Sequence, residues 1–142
     1  MIEANETATT GTSLPWNEVL ATLPFSDDGL LPAIAQQYDS GEVLMMAWMN
    51  RAALTETLAT GRVCYYSRSR QRLWRKGESS GNTQHLVELR LDCDGDTVLL
   101  LIDQRGPACH TGRRSCFYNR IEGDQVVVRP AAAAPPAAST SS

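Results

Sequence analysis

The stretch His85–Asp103, HLVELRLDCDGDTVLLLID, is the part of the sequence that most clearly predicts a fold. Two apolar segments, His85–Leu91 and Thr97–Asp103, flank an acidic pentapeptide, and both have the composition of β-strands. Asp94-Gly95, within the pentapeptide, is a frequent turn of β-hairpins. We therefore predict a hairpin over this stretch.

The same pattern of strand, turn and strand recurs on both sides of the hairpin. The further predicted strands are Leu31–Tyr38, Glu42–Met49, Val63–Ser67, Cys116–Ile121 and Gln125–Arg129. Short turns with glycine separate the first two of these strands and also the last two. Since strands mostly follow strands through short turns, the sequence predicts the α+β class, with a mainly antiparallel β-sheet.

Two short helices are predicted beside these strands. Apolar residues recur with helical spacing over Trp16–Leu23, directly after Pro15. Arg51–Thr60 lies between Asn50, a favourable N-cap, and Gly61, a favourable residue just beyond a helix end. We expect a helix in each segment.

The length and composition of the chain indicate one globular domain. It has 142 residues, of which 42% are hydrophobic and 20% charged. We predict a flexible N-terminus over residues 1–12, a single domain over residues 13–130 and a disordered Ala/Pro/Ser tail over residues 131–142. The net charge of -3 excludes a protein that holds nucleic acid through an overall positive charge.

The N-terminus and the apolar runs indicate where in the cell the protein is located. Met1–Thr12 lacks the positive start and apolar core of a secretory signal. The longest apolar runs, Val43–Met49 and Val98–Ile102, are far shorter than the roughly 20 residues of a membrane-spanning helix. We therefore expect a cytoplasmic protein without a membrane partner, and four cysteines that are reduced rather than paired.

The acidic turn is a candidate metal site. Asp92, Asp94 and Asp96 occupy alternate positions, so in an extended segment their carboxylates lean to one side. Converging carboxylates suit Mg²⁺ or Ca²⁺. The motif taken alone favours a solvated hairpin tip, because Asp and Gly are common in such turns.

The cysteines suggest a second metal site. Six residues lie between Cys109 and Cys116, which is not the spacing of a zinc finger. With Cys93 the count reaches three thiolates, and a catalytic zinc site often has three protein ligands and an open position. Cys64 lies in an apolar strand, which favours a core position. His110 is a proton carrier, a fourth ligand or a surface histidine.

A basic and aromatic stretch follows Arg62. Its cations are Arg62, Arg68, Arg70, Arg72, Arg75 and Lys76, with Tyr65, Tyr66 and Trp74 between them. Such a mixture suits phosphate binding and stacking on a base, whereas an edge strand with outward charges is the alternative. The following Gly77–Thr83 has small residues whose backbone amides can cradle a phosphate.

Three segments together resemble one family, the phosphoribosyl-AMP cyclohydrolases of histidine biosynthesis. The segments are Ser67–Arg70 with Leu73–Gly81, Asp92–Asp96, and Cys109–Phe117. Their order and spacing both agree with the family, and the likeness extends from about Val43–Asn50 to Tyr118. The resemblance reverses the preference for a metal-free acidic turn.

The resemblance implies an intertwined homodimer and two kinds of metal. Zinc would be shared between protomers, bound by Cys93 of one chain and by Cys109 and Cys116 of the other. By the same resemblance, magnesium is expected at Asp92, Asp94 and Asp96. The region of residues 13–130 would be a single cyclohydrolase domain, without the pyrophosphohydrolase domain that some relatives carry.

The resemblance also implies a reaction, the hydrolytic opening of the adenine ring of 1-(5-phosphoribosyl)-AMP between N1 and C6. We expect His110 to be the catalytic residue that carries protons. The expected substrate-binding residues are Arg68, Trp74, Lys76, Ser80 and Gly81.

Two other classes of protein share some of these features. A zinc nucleobase deaminase is excluded because the sequence has neither His-x-Glu nor Pro-Cys-x-x-Cys. A non-catalytic zinc-stabilised RNA-binding domain is the alternative function. It predicts a zinc site closed by four ligands and no turnover.

Overall fold

The computed structural model describes residues 1–130. The predicted disordered tail, residues 131–142, lies outside the described residues. In the described range, no helix has the length and apolar character needed to cross a membrane.

The described chain contains one short 3₁₀ helix, two α-helices and eight strands. The 3₁₀ helix is Ile2–Thr7, and the α-helices are α1 (Trp16–Thr22) and α2 (Arg51–Thr60). The strands are β1 (Leu31–Gln37), β2 (Val43–Met49), β3 (Cys64–Ser67), β4 (Arg72–Arg75), β5 (Gln84–Leu91), β6 (Val98–Gln104), β7 (Asn119–Glu122) and β8 (Gln125–Val128). Both predicted helices and the predicted α+β class are confirmed.

A four-stranded sheet in the order β2-β1-β6-β5 organises the fold, and β3–β4 and β7–β8 form two separate hairpins. The predicted hairpins β1–β2 and β5–β6 are antiparallel. At the centre of the sheet β1 and β6 pair in parallel, with Ala35 beside Leu100. A parallel pair requires a long connection, and here β2 to β5 provide it.

The hydrophobic core lies on one face of this sheet. Along β1 and β6 every second residue is buried, and the residues between are only half-buried. Leu54 of α2 and Tyr65 of β3 pack with inward residues such as Leu100, and all three are fully buried. Helix α2 and strand β3 therefore cover the inner face of the sheet.

The ends of α2 are formed as the sequence predicts. The Asn50 side chain accepts a hydrogen bond from the Ala53 N–H at 2.8 Å. Gly61 adopts a left-handed φ of 74°, and its N–H donates to the Thr57 carbonyl at 2.9 Å. Both caps satisfy backbone groups that a helix end leaves without a partner.

Two parts of the strand prediction are wrong. Residues 72–75 form β4, in a run predicted only as polar and basic, because Trp74 and its neighbours pair with β3. The predicted strand Cys116–Ile121 begins only at Asn119. The reason is that the Cys116 N–H donates to the Leu44 carbonyl at 2.7 Å, which ties this residue to β2.

Part of the N-terminal segment packs on the domain. Residues 2–7 form the 3₁₀ helix, and Ile2 contacts the core. A Cβ added to Gly95 would lie 2.9 Å from Ile2 Cγ2 and 3.1 Å from Leu23 Cδ2. Gly95 therefore allows a close approach as well as forming the turn, with a φ of 75°.

Candidate active site

A cleft of about 880 Å³ lies between the β3–β4 hairpin and the loop that follows β6. Trp74, Lys76 and Ser80 line it on the hairpin side, and Cys109 and His110 line it on the loop side. Its volume is in the range of small-molecule sites. The structure thus brings together five residues that the sequence predicts in two separate segments.

The turn after β4 shapes one wall of the cleft. The Gly81 N–H donates to the Gly77 carbonyl at 2.8 Å, which holds Ser80 within a tight turn. Gly77 has a φ of 81°, and a Cβ there would lie 2.5 Å from the Asn82 carbonyl carbon. Glycine is therefore required at position 77 for two reasons, the left-handed backbone and the lack of space.

Trp74 lies between the core and the cleft. Its ring centroid is 5.5 Å from that of Tyr65, and 37% of Trp74 remains exposed. Tyr65 is fully buried, and its hydroxyl donates to Gln84 Oε1 at 2.6 Å. Burial also raises the pKa of Tyr65. A fixed neighbour therefore holds Trp74 while part of its ring stays open to a flat ligand.

Lys76 points towards the loop that carries Cys109. Its Nζ donates to the Ala108 carbonyl at 2.6 Å and lies 5.3 Å from the centroid of the Trp74 ring. Burial lowers the pKa of Lys76, whereas the nearby thiols of Cys109 and Cys116 act to raise it. Lys76 therefore connects the aromatic wall of the cleft to the thiols.

The loop that bears Cys109 and Cys116 is fixed at both thiols. The Cys109 N–H donates to the Arg113 carbonyl at 3.1 Å, which closes a turn. The buried hydroxyl of Ser115 donates to the Val43 carbonyl at 2.9 Å, which anchors the end of the loop on β2. The positions of both thiols are thus set by hydrogen bonds to backbone carbonyls.

The two thiols influence each other's ionisation. Burial raises the pKa of Cys116 to about 11, and the neighbouring Cys109 adds to this shift. In Cys109, burial acts in the same direction, but hydrogen bonds from Thr111 and from Cys116 outweigh it and the pKa is lowered. The Thr111 hydroxyl donates to Cys109 Sγ at 3.1 Å. An adjacent pair of thiols, one of them with a lowered pKa, is a donor set that suits zinc.

Cys93 does not lie near this pair within the chain. It is exposed in the β5–β6 turn, whereas Cys109 follows the opposite end of β6. The seven residues of β6 span roughly 20 Å at about 3.3 Å per residue. We searched residues 1–130 for three His, Cys, Asp or Glu side chains whose ligand atoms lie within 4.8 Å of one another. In this range only the aspartates of this turn meet that condition.

The carboxylates of Asp92, Asp94 and Asp96 converge at the tip of the β5–β6 hairpin. Asp92 Oδ1 accepts hydrogen bonds from the N–H groups of Asp96 at 3.0 Å and Thr97 at 3.3 Å. Contacts with Asp92 and Asp94 raise the pKa of Asp96. In Asp92, burial acts to raise the pKa, but hydrogen bonds outweigh it and the pKa is lowered. Crowded carboxylates of this kind fit a hard divalent cation.

Two of the predicted substrate-binding residues lie outside the wall of the cleft. The guanidinium carbon of Arg68 is 4.5 Å from the centroid of the Trp48 ring on β2. Gly81 belongs to the turn described above but does not line the cleft. Arg70 and Arg72, which the basic stretch contains but the predicted site does not, line it instead.

The described chain is a small α+β domain with an open cleft and candidate metal ligands. The sequence profile of the phosphoribosyl-AMP cyclohydrolase family matches residues 45–118. The chain is 76% identical over 128 residues to the phosphoribosyl-AMP cyclohydrolase of Halorhodospira halophila, with 90% of each chain covered. It is 70% identical over 132 residues to that of Alkalilimnicola ehrlichii, with 92% of this chain and 93% of the relative covered.

The chain belongs to the phosphoribosyl-AMP cyclohydrolase family, as its motifs predict. It is therefore an enzyme, a hydrolase that acts on a carbon–nitrogen bond. Membership of this family does not favour the alternative of a non-catalytic RNA-binding domain.

Proposed function

We propose that this enzyme hydrolyses the N1–C6 bond in the adenine ring of 1-(5-phosphoribosyl)-AMP, the third step of histidine biosynthesis. The product is the phosphoribosyl-formimino imidazole carboxamide ribotide. The observation that carries the proposal is the cleft in which Trp74, Lys76, Ser80, Cys109 and His110 meet. It occurs in a member of the family that is named for this reaction.

The thiols support a zinc site shared between two chains. Cys109 and Cys116 are adjacent, whereas Cys93 is exposed beyond the opposite end of β6. A second chain can therefore provide the Cys93 that one chain cannot bring to its own thiol pair. When bound, zinc supplies Lewis acidity, which makes water a better nucleophile at neutral pH.

The acidic turn supports a magnesium site in the same arrangement. Asp92, Asp94 and Asp96 flank Cys93 in the turn, so a Cys93 that reaches a partner's cleft takes the three carboxylates with it. Bound Mg²⁺ would offset the negative charge of a substrate phosphate there. The carboxylates themselves would repel that phosphate.

The hairpin wall supports binding of a purine that carries phosphates. The exposed part of Trp74 offers a surface for stacking on the purine. Ser80 lines the cleft, and its hydroxyl can donate a hydrogen bond to one phosphate. Arg70 lines the cleft, and Arg68 lies just beyond it, so these two can provide the guanidinium groups for phosphate binding.

His110 is the residue we propose for proton transfer. After water adds to C6, N1 leaves with the electron pair of the broken bond and must receive a proton. His110 is exposed in the cleft and follows Cys109 directly. An imidazole there can take a proton from the attacking water and deliver one to N1.

A spectroscopic assay tests the proposal. Purified enzyme is mixed with 1-(5-phosphoribosyl)-AMP and Mg²⁺, and the ultraviolet spectrum is followed as the purine ring opens. We expect turnover that a chelator abolishes and added zinc restores. Folded, zinc-loaded protein that leaves the substrate unchanged would overturn the assignment.

A pair of cysteine variants tests the ligand set. Cys93→Ser should abolish turnover and zinc retention while the far-ultraviolet circular dichroism is unchanged, because Cys93 is exposed in a turn. Cys64→Ala is the matched control, since Cys64 is buried in β3 away from the cleft lining. Equal zinc content in Cys93→Ser and the native enzyme would contradict the shared site.

A further inference from the structure

A chain of buried amide side chains runs from the four-stranded sheet to the β3–β4 hairpin. Its members are Gln37 of β1, Gln104 of β6 and Gln84 of β5, and it ends at the hydroxyl of Tyr65 on β3. Gln84 and Tyr65 are fully buried, and Gln37 and Gln104 are each 5% exposed. Glutamine is mostly a surface residue, and a buried amide is costly unless it is hydrogen-bonded. These side chains therefore need partners inside the protein.

Hydrogen bonds join these side chains in one direction. The Tyr65 hydroxyl donates to Gln84 Oε1 at 2.6 Å, and Gln84 Nε2 donates to Gln104 Oε1 at 2.9 Å. Gln104 Nε2 donates to the Arg105 carbonyl at 3.4 Å, and the Gln104 N–H donates to Gln37 Oε1 at 2.9 Å. Among residues 1–130, no buried side-chain nitrogen or oxygen lacks a partner. A polar network that is fully satisfied in this way makes a core more rigid.

The direction of the hydrogen bonds fixes the orientation of the Gln84 amide. The Arg105 carbonyl can only accept, so Gln104 turns its Nε2 towards it and its Oε1 towards Gln84. Gln84 then presents its Nε2 to Gln104 and its Oε1 to the Tyr65 hydroxyl. Apolar side chains of the same shape can replace a hydrogen-bonded pair with little change in stability. The hydrogen bonds therefore add a fixed geometry more than they add stability.

Gln84 also holds the β3–β4 hairpin through its backbone. Its carbonyl accepts from the Val63 N–H at 3.0 Å, directly before β3. The Val63 carbonyl accepts in turn from the Lys76 N–H at 3.1 Å, directly after β4. A two-stranded hairpin is at best marginally stable in isolation. The position of this hairpin, which carries Trp74 to the cleft, is therefore set by its contacts with the rest of the domain, and Gln84 makes two of them.

We propose that Gln84 is a positioning residue for the reaction, which acts through Tyr65 to hold the Trp74 ring against the purine. This rests on the proposed function, since the purine is taken to stack on Trp74. Tyr65 and Trp74 lie directly opposite each other in the β3–β4 register, with ring planes 38° apart and centroids 5.5 Å apart. Aromatic rings at this distance attract each other, so a shift of the Tyr65 ring moves Trp74 as well.

Removing the Tyr65–Gln84 hydrogen bond should slow the chemical step in the zinc-loaded enzyme with Mg²⁺. Tyr65→Phe deletes only the hydroxyl, and Gln84→Met keeps a long, unbranched side chain without the amide. A misplacement of about 1 Å can cost roughly 100-fold in rate. For a smaller shift we expect kcat to fall about tenfold and KM to change by less than about twofold, because the purine still stacks but its C6 is placed less well.

Tyr38→Phe is the matched control for the loss of a hydroxyl. Tyr38 follows β1 directly, is 50% exposed and does not line the cleft, so its kcat should equal that of the native enzyme. Circular dichroism confirms that each variant is folded. Tyr65→Phe is the milder of the two changes in the network and decides the outcome if Gln84→Met does not fold.

A double-mutant cycle distinguishes positioning of Trp74 from a general effect on the fold. In a Trp74→Leu background, Tyr65→Phe should change kcat by less than about twofold, because the residue through which Tyr65 acts is absent. A general effect on the fold would lower kcat by the same factor in both backgrounds.

Fluorescence measures the mobility of the Trp74 ring directly. The chain has three tryptophans, so the Trp16→Phe/Trp48→Phe variant retains only Trp74. When Tyr65→Phe is added, the acrylamide quenching constant should rise about twofold, because a side chain with a less firmly held neighbour moves more on the nanosecond timescale.

The outcomes separate the role of Gln84 from the proposed function. A kcat of Tyr65→Phe equal to that of Tyr38→Phe overturns the positioning role, and so does unchanged quenching of Trp74. An equal loss of kcat with and without Trp74 also overturns it. If the native enzyme leaves 1-(5-phosphoribosyl)-AMP unchanged, the proposed function fails, and the quenching of Trp74 alone then decides whether the hydrogen bond holds the ring.

Discussion

Lys76 donates a hydrogen bond to the carbonyl oxygen of Ala108, 2.6 Å away, and so joins the two walls of the cleft. The bond links the residue that follows β4 to the residue just before Cys109, across two segments that are separated by the whole β5–β6 hairpin. Because the donor is a half-buried charge, the bond is stronger than one between neutral groups.

Removing this donor should weaken catalysis. Lys76→Met keeps most of the unbranched side chain but removes Nζ, which leaves the Ala108 carbonyl without its partner. A hydrogen bond to a charged group contributes about 1.5–3 kcal/mol, so we expect kcat/KM to fall roughly 10- to 100-fold. Steady-state kinetics measure the change, and Arg120→Met, an exposed residue of β7, is the control. Unchanged kinetics in Lys76→Met would show that the bond does not position the thiol loop.

In the turn after β4, alanine at position 77 should destabilise the fold more than alanine at position 81. Ala at position 77 would adopt a strained left-handed backbone and place its Cβ 2.5 Å from the Asn82 backbone. Ala at position 81 has the same φ of 81° but no atom within 4 Å of its Cβ. The strain costs about 1–2 kcal/mol at either position, and the clash adds about 1–3 kcal/mol at Gly77 only.

The free energy of unfolding, measured with urea, tests this comparison. We expect Gly77→Ala to lose more stability than Gly81→Ala, and the difference isolates the clash because the backbone strain is shared. Equal losses would mean that the turn moves to make room for the new methyl group.

The acidic turn predicts a dependence on magnesium. Asp94 accepts only one long hydrogen bond within the turn, from the Asp96 N–H at 3.4 Å, so its carboxylate contributes little to the fold. Asp94→Asn removes a charged ligand and should raise the Mg²⁺ concentration for half-maximal activity about tenfold or more. Its stability should change by less than about 0.5 kcal/mol. Asp124→Asn, in the β7–β8 turn, should leave the Mg²⁺ dependence unchanged.

The buried thiol of Cys64 predicts a loss of stability in alkaline solution. Burial, the largest cause, raises its pKa from 9.0 to about 11. Between these values the folded chain keeps a proton that the unfolded chain has lost, so this stabilising effect is complete below pH 9 and disappears as the pH rises through about 11. The free energy of unfolding of zinc-free protein can be measured with urea at pH 9.0 and at about pH 11. Between these two values it should fall less for Cys64→Ala than for the native chain. A loss of the same size in both proteins would exclude Cys64 as the source.

The interactions that could be predicted are local ones. Asn50, Gly61 and the Asp94-Gly95 turn act on backbone groups a few residues away, so their roles can be recognised without knowledge of the fold. The sequence does not predict strand β4, because Trp74 is held by Tyr65 on the facing strand rather than by an apolar pattern of its own. The Tyr65–Gln84 hydrogen bond also joins segments that are distant along the chain, so the sequence does not predict it. The position of a glutamine at the start of an apolar strand is the one local sign of a buried polar partner.

The sequence by itself determined the elements and the chemistry of this protein. It specified the hairpins β1–β2 and β5–β6, the helix caps, the acidic turn and the thiols, because each depends on residue types at short spacings. The tertiary structure decided which of these groups meet. Strand β6, which pairs in parallel with β1, lies between Cys93 and Cys109 and keeps them apart, and packing brings Trp74 and Lys76 to the thiol loop. Such contacts join segments that are distant along the chain, and only the burial of a common core determines which of them form.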